Sequence, residues 1–439
     1  MSSCVGIRRE DKSEWERRVA IVPDVVRDLK ERYGIQVVVQ PSPIRAFGEE
    51  EFLAAGAEVR EDLSVCPIIF GVKEMPKEAF IPGKTYVFFS HVTKGQAYNM
   101  PMLRRLMDLG CNLVDYERVA DDTGRRLIFF GRHAGLAGMI DTLWALGKRL
   151  EWEGIANPFT DVRRAYKYHD LAEAEEAIRA VGERIKAEGL PPAATPLIVG
   201  VAGYGNVSKG AQEILDLLPL VEITPQEVAT VAAEADPRDN VVYKTVFHEE
   251  HTVVPLDPDK SFDLQEYYSH PELYQGVFSR YLPYLTVMAN CIYWEPKYPR
   301  LVTKDYLREL YAHGTPRLRV IGDLSIDIEG AIECTNRATD IDDPVYVYDP
   351  LTGYTRDGVR GRGPVILAVD ILPSELPRDS SVYFSSVLED YVPALAAADF
   401  SVPFEDLRLP EELKRAVIVY HGGLTPAYRY LEEFVQEKG

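Results

Sequence analysis

Cysteine is scarce in this sequence. There are five, Cys4, Cys66, Cys111, Cys291 and Cys334, an odd number with no C-x-x-C pair. That spacing argues against a disulfide framework and offers no zinc-ligand pattern, so no metal is expected. Long apolar runs are absent as well. None approaches the ~18 residues of a membrane span, and no membrane association is expected. The N-terminus, M-S-S-C-V-G-I-R-R-E-D-K, turns charged too early for a signal-peptide core. A reduced, cytoplasmic setting is the expectation. Positive charge is in deficit: 49 basic against 69 acidic residues give a net charge of −20. Sequence-independent nucleic-acid binding needs a basic face, so it is not expected. An anionic substrate would have to be drawn in by a local basic cluster, against the overall field. Internal repeats and low-complexity segments are missing too.

What is present is an ordinary globular composition, 46% apolar over 439 residues, enough for two or three domains. The chain is organised around L-I-V-G-V-A-G-Y-G-N-V-S-K-G-A at 197–211. An apolar run with strand composition leads into a turn bearing Gly200, Gly203 and Gly205. Asn206 and Val207 then open a helical pattern through Ala211, Ile214, Leu215 and Leu218. Strand, glycine turn and helix open the dinucleotide site of a doubly wound sheet. Glycines let the backbone approach a pyrophosphate, and free N–H groups at the helix start favour its charge. Ser208 stands where a third glycine is usual.

Before this turn, strands are expected at 5–8, 35–39, 67–72, 85–90 and 111–114, alternating with helices. After it, strands are expected at 221–223, 241–247, 285–291 and 318–324, with 364–371 closing the sheet and a largely helical remainder from Ser374. Small residues in G-R-H-A-G-L-A-G at 131–138 predict close packing of a long helix, between domains on this reading. The polar, aromatic segment 257–280 reads as an insertion. The expected fold is α/β: two Rossmann-like doubly wound domains separated by a cleft. The first is discontinuous, 1–132 completed by 374–439; the second is a dinucleotide-binding domain, 133–373.

Lys73, His91 and Glu117 each stand just beyond the end of a successive expected strand, and Arg18 follows the first. In a parallel sheet they would converge on one edge. An Arg fork binds a carboxylate bidentately, and a Lys and a His in one pocket can exchange protons near neutrality. A carboxylate such as Glu117 could hold the lysine. Singly, each is an ordinary surface or half-buried residue; the shared placement sets them apart. His248-Glu249-Glu250-His251 is a weaker candidate, because the expected strand context puts its two histidines on opposite faces.

Several stretches carry a resemblance. They are R-R-E-D-K-S-E-W-E-R-R (8–18), G-V-K-E-M-P (71–76), F-F-S-H-V-T-K-G-Q (88–96), G-N-V-S-K-G-A-Q (205–212), H-P-E-L-Y (270–274), N-C-I-Y-W-E (290–295) and P-R-L-V-T (299–303). Over almost the whole chain, and in order, they resemble the lysine–2-oxoglutarate reductase (saccharopine-forming) domain of the bifunctional aminoadipic semialdehyde synthases of animals and plants. The chain is similar, more distantly, to the lysine-forming saccharopine dehydrogenases of fungi, within the alanine dehydrogenase-like superfamily. The resemblance implies condensation of L-lysine with 2-oxoglutarate and reduction of the imine to saccharopine, with NADP as cofactor and NAD as the alternative. It implies that Lys73 and His91 are the acid–base pair and that Glu117 restrains the lysine. Arg18 would bind a substrate carboxylate, with Lys94 and Arg126 on the substrate side. Asp323 would lie at the nicotinamide end, and Ile292 and Tyr293 in a turn that contacts the cofactor. A separate saccharopine-oxidising enzyme is implied as pathway partner, and a homo-oligomer is compatible with it.

The cofactor choice stays open on the residues themselves. The strand expected at 221–223 is followed by Thr224-Pro225-Gln226-Glu227, and no Arg or Lys lies between Lys209 and Arg238. Opine-type or alanine dehydrogenase-like reductive amination of another 2-oxo acid, and a non-catalytic dinucleotide-sensing module, are the alternatives.

Overall fold

The computed structural model describes residues 4–234 and 238–436. The first and last three residues of the expected discontinuous domain lie outside them. The chain divides into two compact units, Met1–Phe130 with Pro377–Gly439, and Gly131–Leu376. In chain order the strands are β1 (Cys4–Ile7), β2 (Gln36–Val39), β3 (Glu58–Val59), β4 (Ile68–Phe70), β5 (Thr85–Phe88) and β6 (Asn112–Asp115). Then come β7 (Leu197–Ala202), β8 (Leu220–Glu222), β9 (Val242–Phe247), β10 (Val253–Pro255), β11 (Tyr274–Gly276), β12 (Val287–Asn290) and β13 (Val320–Asp323). The last are β14 (Val345–Tyr348), β15 (Thr355–Asp357), β16 (Val365–Leu367), β17 (Val417–Tyr420) and β18 (Gly423–Leu424).

The first unit is built on an eight-stranded sheet in the order β18-β17-β6-β5-β4-β1-β2-β3. β1 to β6 pair in parallel. Helices such as Pro23–Tyr33 and Met100–Asp108 cover it, burying Val25, Val26 and Leu29 from one and Leu103 and Leu106 from the other. Met107 is partly buried against the same core, whereas Tyr33 is exposed. The remainder from Ser374 is not simply helical. Val-Ile-Val-Tyr at 417–420 is fully buried and pairs antiparallel with β6, and β18 folds back on it. Three β-branched residues and a tyrosine suit a strand added to an existing sheet, whatever the helices around it.

The second unit carries another eight-stranded sheet, β15-β14-β16-β13-β12-β7-β9-β8. Two features depart from expectation. β16 does not close this sheet, because β14 pairs antiparallel with it and β15 lies beyond. The neighbour of β7 on one side is β9, so the short strand β8 is left at the edge. β8 has no buried residue, whereas β9 is almost wholly buried; the apolar strand takes the inner place.

The long helix Gly131–Trp152 is buried on nearly all sides. Its small residues pack within this unit, against the helix Asn206–Leu215. A Cβ on Gly135 would fall 1.9 Å from the Val207 carbonyl oxygen, and one on Gly210 would fall 2.0 Å from that of Arg132. The two backbones touch through reciprocal glycines, so any side chain there would force the helices apart. β10 and β11 form a separate antiparallel pair around a small cluster of Val253, Tyr267 and Tyr274. Among the described residues, no helix is long and apolar enough to cross a membrane, and all five cysteines are free.

Candidate active site

Parallel β1, β4, β5 and β6 end on one edge of the first sheet, and the chain just beyond each end supplies polar side chains. After β4, the turn to Lys73 is pinned from below. The buried Glu10 carboxylate accepts from the N–H of Val72 at 2.7 Å and of Lys73 at 3.0 Å. Burial, then the charge of Glu16, raises Glu10 to about 7 despite those two donors. Lys73 is half-buried. Burial and the Arg18 charge pull its ammonium below the ordinary lysine value, opposed by Glu16 and Glu74. Arg18 is 3% exposed. Its Nε and Nη2 donate to the two carboxylate oxygens of Glu16 at 2.7 and 2.6 Å, and its guanidinium lies 4.3 Å above the Phe130 ring. Burial would raise Glu16, but Arg18 outweighs it and holds the group below the usual carboxylate range.

His91 follows β5 with φ at 50°, a left-handed conformation that costs a residue with a Cβ about 1–2 kcal/mol. Its Nδ1 lies 2.8 Å from Glu74 Oε1, while Lys12 Nζ donates to Glu74 Oε2 at 2.6 Å. Burial raises Glu74, but the bonds from His91 and Lys12 prevail and hold it at about 2. Glu74 is therefore an anchored anion that orients the imidazole. Asn99 fixes the same turn by donating to the His91 carbonyl at 3.1 Å.

Glu117 follows β6 and pairs with Arg126 at 3.6 Å. The carboxylates whose charge bears on Lys73 are Glu16 and Glu74. Glu117 stands two strands away, since β5 separates β4 from β6. Beneath it, buried Asp115 accepts from the Ser90 hydroxyl and from the Glu117 N–H. Burial pushes Asp115 up to about 6. Lys94 and Arg126 are exposed. Glu10, Glu16, Glu74 and Asp115 were not singled out from sequence, although three of them interleave with the basic residues in R-R-E-D-K-S-E-W-E-R-R and K-E-M-P.

In the second unit, Gly203 turns the chain out of β7 with φ at 97°. A Cβ there would meet Ile292 at 3.0 Å and the Cys291 carbonyl at 3.2 Å. Gly205 caps the helix that Asn206 and Val207 begin, with open space where its Cβ would stand. Gly200 differs. It lies inside β7, where a Cβ would press on Leu285 and Phe247, so packing requires it rather than approach of a ligand. A cavity of about 450 Å³ abuts the turn, lined by Gly203, Tyr204, Gly205, Ile292, Tyr293 and aromatic side chains from the β10–β11 segment. A cradle that a Cβ would fill, a helix start and an aromatic cavity together fit a dinucleotide. Asp323, at the end of β13, is buried and accepts from Asn290 at 2.8 Å and Thr335 at 2.6 Å. Burial raises it to about 6, and its bond from Asn290 ties the ends of β12 and β13 together. The His248–His251 segment is not a strand. Glu249–Thr252 form a helical turn, and His251 Nδ1 accepts from the His248 N–H at 3.0 Å. Among the described residues, no cluster of three or more His, Cys, Asp or Glu could hold a metal.

Residues 6–137 match the model of the alanine dehydrogenase/PNT N-terminal domain. The whole chain is similar in fold to an L-alanine dehydrogenase, with TM-score 0.61, 17% identity, and 98% and 99% of the two chains covered. The likeness to this structure is one of fold, and the family match is confined to 6–137. A transhydrogenase from Sinorhizobium meliloti shares the fold at TM-score 0.56 and 16% identity, over 96% of this chain and all of that one. In sequence, an alpha-aminoadipic semialdehyde synthase of Arabidopsis thaliana is 38% identical over 97% of this chain and 41% of its own length. The mitochondrial enzyme of that name from Bos taurus is 35% identical over 99% and 48%. The chain thus spans somewhat under half the length of these relatives. A saccharopine dehydrogenase [NAD(+), L-lysine-forming] of Emericella nidulans is 27% identical over 88% of this chain and 90% of that one.

Proposed function

We propose that this protein is an NAD(P)-dependent saccharopine-forming reductase. It condenses the ε-amine of L-lysine with the keto carbon of 2-oxoglutarate, loses water, and reduces the resulting imine to saccharopine, reversibly. The names of the relatives support the substrates. The observation that carries the reading is the Lys73–Glu74–His91 group with Arg18 on one sheet edge of an acidic protein. Two proton-transfer groups and a buried cation are what joining an amine to a dianionic keto acid requires.

The residues divide the work as follows. Arg18 exchanges its Glu16 contact for a substrate carboxylate, with Lys94 and Arg126 as further cations on the substrate side. Lys73, pulled down by burial and by Arg18, accepts the proton that the attacking amine must lose. His91, oriented by Glu74, gives a proton to the departing hydroxyl so that it leaves as water. Glu117 restrains Arg126 and the edge around it. The glycine turn of Gly203 and Gly205, with Asn206 and Val207 at the helix start, would hold the pyrophosphate of the cofactor; Ile292 and Tyr293 would lie in a turn that contacts it, and Asp323 at its nicotinamide end. The cofactor, NADPH or NADH, supplies the hydride when bound; the resemblance to the animal and plant enzymes favours NADPH.

The test is oxidation of NADPH and of NADH near neutral pH with 2-oxoglutarate and, in turn, lysine, ornithine, ammonia or no amine. Turnover that requires lysine is the expected result. Turnover with ammonia and a small 2-oxo acid, and none with lysine, would move the chain to the alanine dehydrogenase-like alternative. Nucleotide binding without turnover would leave a sensing module.

A further inference from the structure

In a doubly wound sheet, the ribose next to the glycine turn faces the strand lying beside the glycine-turn strand. The side chain at that strand's end distinguishes a free 2′-hydroxyl from a 2′-phosphate. By chain order that strand would be β8, but the neighbour of β7 is β9. Ala202 pairs with Phe247, and the Gly203 N–H donates to the Phe247 carbonyl at 2.9 Å. His248 and Glu249 therefore stand beside the glycine turn itself.

Glu249 is fixed there. Its Oε1 accepts from the Tyr268 hydroxyl at 2.6 Å and from the Tyr204 hydroxyl at 3.3 Å. Tyr204 belongs to the glycine turn, and its ring stacks on His248 at 4.5 Å. Oε2 has no partner among the described residues. Gly203, Tyr204, Glu249 and Tyr268 line one cavity, and neither Lys nor Arg is among the residues lining it. At the end of β8, by contrast, the acids are already engaged. Glu222 is paired with Lys244 at 2.8 Å, and Glu227 accepts from the Thr224 N–H at 2.7 Å and from its hydroxyl at 2.8 Å.

We propose that Glu249 selects the cofactor: its free carboxylate oxygen accepts from the adenosine ribose hydroxyls and repels a 2′-phosphate, so that this chain prefers NADH to NADPH. The proposal rests on the reading that the cavity takes a nicotinamide dinucleotide, and it departs from the NADPH that the resemblance implies. Two tyrosine hydroxyls on one oxygen orient the carboxylate and leave its other oxygen for the ligand. The rival for a 2′-phosphate is His248, exposed and next in line.

The test is calorimetric titration of the full chain with NADH and with NADPH, in the absence of substrates, for the wild type, Glu249→Gln and His248→Gln. We expect the wild type to bind NADH at least about tenfold more tightly, since like charges placed together at a binding site are strongly penalised. Glu249→Gln should shrink that ratio by about fivefold or more, by weakening NADH and tightening NADPH. His248→Gln should leave the ratio within about twofold. Tyr268→Phe, which keeps the ring, should shrink the ratio in the same direction by less. Tighter NADPH binding in the wild type, or a ratio unmoved by Glu249→Gln, would overturn the assignment while leaving the reductase reading intact. Binding of neither nucleotide to the folded wild type would overturn both.

Discussion

The two sheets use the same device in different ways. Each leads its chain from a parallel strand into a left-handed turn at the edge where its strands end: His91 after β5, Gly203 after β7. In the second unit the turn is glycine, because a Cβ would meet Ile292 and the Cys291 carbonyl. In the first unit a side chain occupies the left-handed position, and an imidazole held by an anchored carboxylate comes with it. The fold fixes where strands end and leaves the chemistry to what stands there. Where neighbouring backbone and side chains crowd the turn, the side chain is removed. Where an imidazole is held against a carboxylate, the chain accepts strain to keep one.

Breaking the chemistry of the first unit alone gives the largest effect. Lys73→Met should cut turnover by about 10²-fold or more, the scale of a lost acid–base group, and leave nucleotide affinity unchanged in a direct titration. Unchanged turnover would remove Lys73 from the mechanism. Breaking the second unit alone should do the reverse. Gly203→Ala places a Cβ at φ 97° and against Ile292. It should cost about 1–3 kcal/mol of stability in denaturant unfolding and weaken nucleotide binding about tenfold. An alanine variant that binds nucleotide normally would mean that the turn does not approach the ligand.

Much of this contrast was legible in the sequence, for a physical reason. Glycines in a turn after an apolar strand and polar residues that follow apolar strands leave local marks. Gly203, Gly205, Lys73, His91 and Arg18 stand out in that way, and so do the alternating strands and helices. Strand order leaves no local mark. β8 precedes β9 in the chain, and only burial decides which lies beside β7; the hint is that L-V-E is a poorer core strand than V-Y-K-T-V-F. The strand at 417–420 was hidden among helices because its partner, β6, lies some 300 residues earlier. The acids Glu10, Glu16 and Glu74 leave no such mark, because acidic residues usually face solvent. They are tied to backbone N–H groups and cations, and the sequence shows neither.

Glu74 sharpens the comparison through pH. Its value in the folded chain, about 2, lies below that of an ordinary carboxylate. The stability it contributes is complete above the ordinary carboxylate range and is lost as pH falls through about 2. Glu74→Gln should therefore cost about 2 kcal/mol near neutrality, after allowance for solvent screening, and progressively less in acid. Unfolding midpoints measured from neutral pH down to the acid transition check this. A cost that is the same at every pH would show that lost packing, not charge, is responsible.

The smallest effect returns to the two turns. If strain at His91 is accepted only for its imidazole, glycine should relieve it. His91→Gly should be more stable than His91→Ala by about 1 kcal/mol, because alanine keeps the left-handed penalty and glycine does not, although glycine gives back part of the gain through its freer unfolded chain. Both variants should lose turnover alike, since neither can give a proton to the departing hydroxyl. The stability difference is read from paired denaturant curves and the activity from the lysine-dependent assay. If alanine proves as stable as glycine, the turn is not strained at that residue, and the parallel with Gly203 fails. If the glycine variant retains turnover, the imidazole is not the proton donor, and Lys73 must serve both halves of the reaction.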